Sequence, residues 1–126
     1  MGALASLAEG TGRAGPARCV FECPAPVQLA DVEIADHLYR IAQEAVNNAL
    51  KHAAPSEIRI ALERENGAVL LEVDDDGEGF TEATTAADGI GLRVMRYRAR
   101  LVRGQLEISS PPAGGTRISC RVETAT

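Results

Sequence analysis

The sequence predicts an α/β domain: a two-layer sandwich with helices packed on one face of a mixed sheet. Three observations predict it. Apolar residues recur at helical spacing through roughly Glu33–Ala53. Glu57–Arg64 alternates Ile58, Ile60 and Leu62 against Glu57, Arg59 and Glu63, which is the period of a half-buried strand. The whole chain then reads β-α-β-β-α-β-β, an order that places helices against a shared sheet.

Each element has its own signal. Ala17–Cys23 alternates and is β-branched or aromatic in part, a strand that Pro24 and Pro26 end. The long helix carries its apolar stripe on Leu38, Ala42, Ala45, Val46, Ala49 and Ala53; Asp31 or Asp36 caps or charges its start, and Pro55 closes it. Asn66-Gly67 is a hairpin signal, with Ala68–Val73 the returning strand. Thr81–Asp88 is small and polar, as expected of a mobile lid. Leu92–Val102 is a second helix ending near Gly104. Gln105–Ser109 and Thr116–Val122 are two further strands. Met1–Gly15, rich in Ala, Gly and Ser, is expected to be a loose linker or the remnant of a preceding helical region, leaving 16–126 as the domain.

Composition removes several functions. At 126 residues the chain is long enough for one core, and 45% apolar content is that of a globular protein. Aromatics make up only 3%, so base-stacking recognition of single strands is not expected. A net charge of -5 gives no general attraction to nucleic acid or to an anionic membrane. No apolar run is long enough to span a bilayer. The three cysteines, Cys19, Cys23 and Cys120, are expected as free thiols in a reducing, cytosolic setting, and their number and spacing do not make a zinc site.

The chemistry sits in three places. Glu44, Asn48 and Lys51 lie at i, i+4 and i+7 on one stripe opposite the apolar one. Any one of them alone reads as part of a solvated face. Yet asparagine in mid-helix costs about 0.5 kcal/mol against alanine, and carboxylate, amide and ammonium on one rail suit Mg²⁺ and phosphate. Lys51 is also the only lysine of the chain. The second place is Asp75-Asp76-Gly77-Glu78-Gly79, after a strand. Glycines there allow a close approach to a flat ligand, and a carboxylate can accept from an exocyclic amine. A calcium loop does not fit: with Gly77 as the turn glycine, the bidentate glutamate position falls on Ala83. An acidic hairpin turn is the bland alternative. The third is Gly89-Ile90-Gly91-Leu92, opening a helix whose amides suit phosphate. Val94 breaks the dinucleotide fingerprint, and no Gly-Lys-Ser/Thr makes a P-loop. In the same helix Arg93, Arg96, Arg100 and Arg103 form a solvent-facing stripe or a docking surface, whereas Arg98 falls among apolar positions and needs a partner.

These residues resemble the ATP-binding domain of bacterial two-component sensor histidine kinases, in the subfamily typified by nitrate sensors and the membrane-fluidity thermosensor. Leu38–Ala53 resembles the N box, Asp75–Gly79 the G1 box and Gly89–Leu92 the G2 box. Met95–Ala99 resembles the arginine-rich helix that follows, and Gly114-Gly115-Thr116 the last glycine-threonine element. The resemblance covers about Ala17–Val122. The set in this order is specific where each box alone is not.

The resemblance implies the Bergerat ATP-binding fold shared with gyrase, Hsp90 and MutL, with ATP and Mg²⁺ as ligands. Asp75 would hold the adenine amine, with Gly77, Gly79 and Thr116 lining the base. Asn48 would ligate Mg²⁺, with Glu44 positioning the metal or accepting a proton. Lys51 and His52 would contact phosphate, Gly89, Ile90, Gly91 and Leu92 would wrap the phosphates, and residues 81–88 would be the lid. Val94 stands for a common glycine of the family and Tyr97 for a common glutamate. The family's phosphoacceptor histidine lies on a dimerising helix; here the only histidines are His37 and His52, and His37 is expected at a helix surface or cap. The resemblance therefore implies a cytoplasmic catalytic domain that acts on a separate dimerisation and phosphoacceptor domain, and through it on a response regulator. An anti-sigma serine kinase or a gyrase-like ATPase on the same fold is the alternative, disfavoured by the short lid and the arginine-rich helix. A scaffold that has lost ATP is argued against by the intact Asn48, Lys51, Asp75 and box glycines.

Overall fold

A computed structural model describes residues 2–15, 17–25, 27, 31–53, 55–77, 89–110 and 114–124, with the backbone alone at 52, 53, 89 and 90. The lid expected at 81–88, with Glu78 and Gly79, lies outside the described residues. The elements run α1 (Gly2–Ala14), β1 (Arg18–Glu22), α2 (Val32–Asn48), a π-helical turn (Ala49–Ala53), β2 (Glu57–Glu65), β3 (Ala68–Asp75), α3 (Gly89–Leu101), β4 (Gln105–Ser109) and β5 (Thr116–Glu123). The sheet order is β1-β2-β3-β5-β4, with β1 parallel to β2 and the other pairs antiparallel. This is the mixed sheet expected.

Alternation divides the sheet into two unlike faces. Ile58, Ile60 and Leu62 of β2, Val69, Leu71 and Val73 of β3, and Ile118, Cys120 and Val122 of β5 are buried toward the helices. Residues between them on the same strands, such as Arg59, Asp74 and Arg117, carry charge on the helix-free face. From α2 the core takes Leu38, Ile41, Ala42, Ala45, Val46 and Ala49. Each Val, Leu or Ile side chain so buried stabilises by about 1.5–3 kcal/mol, so an aromatic-poor core suffices at this size. No polar or charged side chain among the described residues is buried in it. The Cys120 thiol is, and burial pushes its pKa to about 11.

The local signals act as chemistry requires. Asp31 caps α2, accepting from the amides of Glu33 at 2.9 Å and Ile34 at 3.3 Å. Asn66 and Gly67 turn the β2–β3 hairpin with positive φ of 49° and 78°. The amide of Thr124 donates to Gly67 O at 2.9 Å, tying the end of β5 to that turn. Arg98 finds its partner across the helix pair, with Nη1 3.2 Å from Nδ1 of His37 on α2. Arg93, Arg96, Arg100 and Arg103 are exposed, as expected of a solvent-facing stripe.

Two expectations change. Of the two readings of the N-terminal stretch, a loose linker or the remnant of a preceding helical region, the described residues Gly2–Gly15 do not show the first. Gly2–Ala14 is helical, packs against β1, and buries Leu4 and Ala8 in the common core. Its apolar spacing was masked by the glycines and alanines around it. The long helix also does not stay α to its end: it widens into the π turn at Ala49–Ala53. Such turns have no single sequence signature, and they gather at functional sites.

The end of α3 shows how packing overrides backbone preference. Gly104 N donates to Ala99 O at 2.7 Å and Arg103 N to Arg100 O at 3.1 Å, a Schellman closure. The left-handed residue in it is Arg103, with φ of 56°. Gly104 is needed one position later, where a Cβ would lie 3.0 Å from Cys120 Sγ and 3.1 Å from Val122 Cγ2. Gly104→Ala is therefore expected to destabilise by ~1–3 kcal/mol, and Arg103→Gly to stabilise by up to ~1 kcal/mol. Thermal melts of both variants check this; a lower midpoint for Arg103→Gly would show that the arginine side chain outweighs the strain.

Candidate nucleotide site

Four element ends meet the predicted chemistry: the last turns of α2, the end of β3, the start of α3 and the start of β5. Their residues gather in two groups.

The first group joins α2 to α3. Glu44 and Asn48 are half-buried on neighbouring turns of α2. Gly91, buried in the first turn of α3, lies directly against both. A Cβ there would sit 2.7 Å from Glu44 Oε1, 2.9 Å from Asn48 Oδ1 and 3.1 Å from Asn48 Nδ2. Only glycine lets the helix start come this close to the two side chains. Asn48 Nδ2 is buried with no hydrogen-bond partner among the described residues. An orphaned buried amide costs about 1–3 kcal/mol, which a native site tolerates when a ligand satisfies it. Lys51 is exposed within the π turn, and His52 follows it on the backbone. Gly89 and Ile90 are described as backbone opening α3, and Leu92 packs half-buried against the core.

The second group joins β3 to β5. Asp75 pairs with Thr116 in register. Its Oδ1 accepts the amide of Gly77 at 2.9 Å. Burial raises its pKa above the ordinary carboxylate value. The Gly77 amide opposes that rise, the charges of Asp76 and Asp74 add to it, and the Thr116 amide again opposes it. Gly115, with φ of 83°, lies so close beneath Asp75 that a Cβ would overlap the Asp75 carbonyl. The Gly114-Gly115 pair thus lets β5 begin against the carboxylate strand.

Asp76 is not a ligand in waiting. It accepts from Ser56 N at 2.8 Å, Ser56 Oγ at 2.5 Å and Glu57 N at 2.9 Å, and the Ser56 hydroxyl first and then the Glu57 amide hold its pKa below the ordinary value. Sequence reading missed this anchor and the close fit of Gly91. Only the run of three carboxylates hinted that each must face a different way.

The arrangement fits a magnesium nucleotide. Asn48 Nδ2 has no hydrogen-bond partner among the described residues, Gly91 packs bare against it, and Asp75 stands half-buried at the end of β3. Among the described residues no three His, Cys, Asp or Glu cluster as a protein-only metal site. Magnesium shared with phosphate needs no such cluster, because it uses one or two protein oxygens and keeps waters and phosphate oxygens for the rest.

Comparison with known proteins agrees with this geometry. The family described as histidine kinase-, DNA gyrase B- and HSP90-like ATPase matches residues 33–126. The nitrate/nitrite sensor protein NarQ of Escherichia coli (strain K12) is 34% identical over 110 residues, covering 86% of this chain and 19% of its own length. The sensor protein VraS of Staphylococcus saprophyticus is 38% identical over 88 residues, covering 70% of this chain and 25% of its own. The chain thus spans about a fifth to a quarter of the curated relatives it matches. In fold it is similar to the ATP binding domain of PrrB from Mycobacterium tuberculosis, with a TM-score of 0.76, 22% identity, and 99% and 93% of the two chains covered. The family match spans most of the chain, and the chain belongs to the histidine kinase-, DNA gyrase B- and HSP90-like ATPase family.

Proposed function

We propose that this domain binds Mg-ATP and donates the γ-phosphoryl group to a histidine on a separate dimerisation domain of a two-component sensor kinase. The observation that carries the reading is the buried Asn48 Nδ2, which has no hydrogen-bond partner among the described residues and is held against Gly91. Packing among the described residues leaves that nitrogen without an acceptor, whereas a metal-bound triphosphate would supply a cation for the amide oxygen and acceptors for its nitrogen. The relatives named as sensors favour this reading over a serine kinase or a gyrase-like module on the same fold.

In this reading Asp75 accepts the adenine amine, with Gly77, Gly79 and Thr116 beside the base. Asn48 ligates Mg²⁺ and Glu44 positions the metal or takes a proton. Lys51 and His52 meet phosphate, as do Gly89, Ile90, Gly91 and Leu92, with residues 81–88 as the lid. Bound Mg²⁺ offsets charge on the phosphates. An imidazole nitrogen of the acceptor histidine forms the new P–N bond, the bond to the β-phosphate oxygen breaks, and ADP leaves. Holding the triphosphate in line with the acceptor is the protein's main contribution. The phosphoryl group then passes to an aspartate of a response regulator. The domain works on the cytoplasmic side, apart from membrane and nucleic acid. Neither histidine of this chain acts as acceptor: His37 is engaged with Arg98 between α2 and α3, and His52 lies in the site turn.

Calorimetric titration with a non-hydrolysable ATP analogue tests the binding. We expect magnesium-dependent binding, weakened at least about tenfold by Asp75→Asn, which loses a charge-assisted hydrogen bond. Binding that ignores both magnesium and Asp75 would overturn the site. With radioactive ATP the chain alone is expected to label itself negligibly; acid-labile, base-stable labelling would place an acceptor within it. In a kinase that carries the acceptor histidine, Glu44→Gln is expected to lower turnover by about 10–100-fold while changing nucleotide affinity by less than about threefold. Equal turnover would remove Glu44 from the chemistry.

A further inference from the structure

The helix-free face of the sheet carries a row of charge that the nucleotide reading leaves unused. Asp74 accepts Arg117 Nε at 2.7 Å and Nη2 at 3.3 Å, and Arg59 Nη1 at 2.8 Å. Arg59 Nε in turn donates to Glu22 Oε2 at 2.7 Å. Glu22, Arg59, Asp74 and Arg117 stand on β1, β2, β3 and β5, so one chain of ion pairs crosses four of the five strands. Arg59, Asp74 and Arg117 occupy a single register row. The next row is Ile58, Asp75 and Thr116, and successive residues of a strand point to opposite faces. The clamp and the adenine carboxylate are thus sequence neighbours on opposite sides of one strand.

We propose that Arg117 and Arg59 are positioning residues for adenine recognition: by gripping Asp74 across β2, β3 and β5 on the outer face, they fix the orientation of Asp75 and Thr116 on the inner one. The inference rests on the nucleotide reading above. Arg117 grips both oxygens of Asp74, so the carboxylate is set in a plane and not merely neutralised. Asp74–Arg117 is the side-chain tie between β3 and β5 in the row beside the site, and beyond it β3 leaves the sheet at Asp76. Asp76 is anchored separately to Ser56 and Glu57. Asp75 is therefore held by a clamp on each side of it in sequence, and its own oxygens remain directed inward. The arginines are partly exposed, and Asp74 keeps Arg59 when Arg117 is removed, so the network's effect is expected in recognition of the base more than in melting.

The test compares ATP with inosine triphosphate, which keeps the sugar and phosphates but carries an oxygen in place of the exocyclic amine. Affinities of the whole chain for both are measured by calorimetric competition. The wild type is expected to prefer ATP, and Asp75→Asn to set the floor of that preference. Arg117→Met is expected to narrow the ATP-to-inosine ratio by about fivefold, well short of the ~100-fold that a 1 Å misplacement at a reacting centre costs. The inosine affinity should stay within about twofold, and Arg117→Lys should restore part of the ratio. Asp74→Asn, which weakens the grip of both arginines, should narrow the ratio at least as far as Arg117→Met. An unchanged ratio in the folded variant overturns the proposal. Equal loss of both nucleotides does so too, since that is what a merely structural role gives. If Arg117→Met does not fold, Arg59→Met carries the same comparison. Binding of neither nucleotide by the wild type overturns the nucleotide reading itself; preference for ATP with an unmoved Arg117 variant overturns only this inference.

Discussion

Three carboxylates stand in succession at the end of β3, at a spacing where like charges repel and where burial makes repulsion stronger. The surrounding structure separates them in direction and in partner. Asp74 turns out to two guanidinium groups, Asp76 turns toward the amides and hydroxyl at the start of β2, and Asp75, on the opposite side of the strand from Asp74, accepts the Gly77 amide. Much else follows from that separation. β2 must begin beside β3 for Ser56 and Glu57 to reach Asp76, and a glycine, Gly115, must precede β5 for the chain to pass under Asp75. The charged face of the sheet must stay free of helices. The placement of α2 and α3 on the other face is therefore consistent with the chemistry as well as with the hydrophobic pattern.

The second constraint is the closeness of α2 and α3. They run past one another with His37 opposite Arg98 and with Glu44 and Asn48 opposite Gly91, so the pair is antiparallel and is pinned by a polar contact toward one end. At the other end a bare backbone takes the place of a side chain. Aliphatic packing from α2 fixes the depth of the rail against the sheet, and the glycine fixes the gap above it. A site of this kind is held by elements and not by loops, which suits a group that must be placed to within a fraction of an ångström.

Much of this was legible in the sequence because it depends on period and on single residues. The alternation of Ile58, Ile60 and Leu62 gave the strand and its buried face, Asn66-Gly67 gave the turn, and the arginine at position 98 announced a partner by falling among apolar neighbours. The pairing of Glu44 with Asn48 was legible because helical period brings positions four apart to one face. What stayed hidden depends on distances between segments. Nothing local shows that Gly104 must pack on Cys120, and so nothing shows that Arg103 must take the left-handed position. Nothing local shows that Asp76 belongs to Ser56, twenty positions away in the chain. The helix at Gly2–Ala14 was hidden for another reason: its composition is permissive, and its stability comes from burying Leu4 and Ala8 against β1 and not from propensity.

The sheet's two margins have a consequence for how the domain behaves in company. β1 and β4 are the outer strands, and each is only five residues long. β1 carries Arg18 and Glu22, β4 carries Glu107, and α1 lies along β1. Short, charged and partly sheltered edges offer another chain few free backbone groups to pair with. A copy of the domain, or a partly folded neighbour, gains little by adding a strand to it. Contacts with other proteins are left to the helical surface and the loops, where side chains and not backbone ladders select the partner.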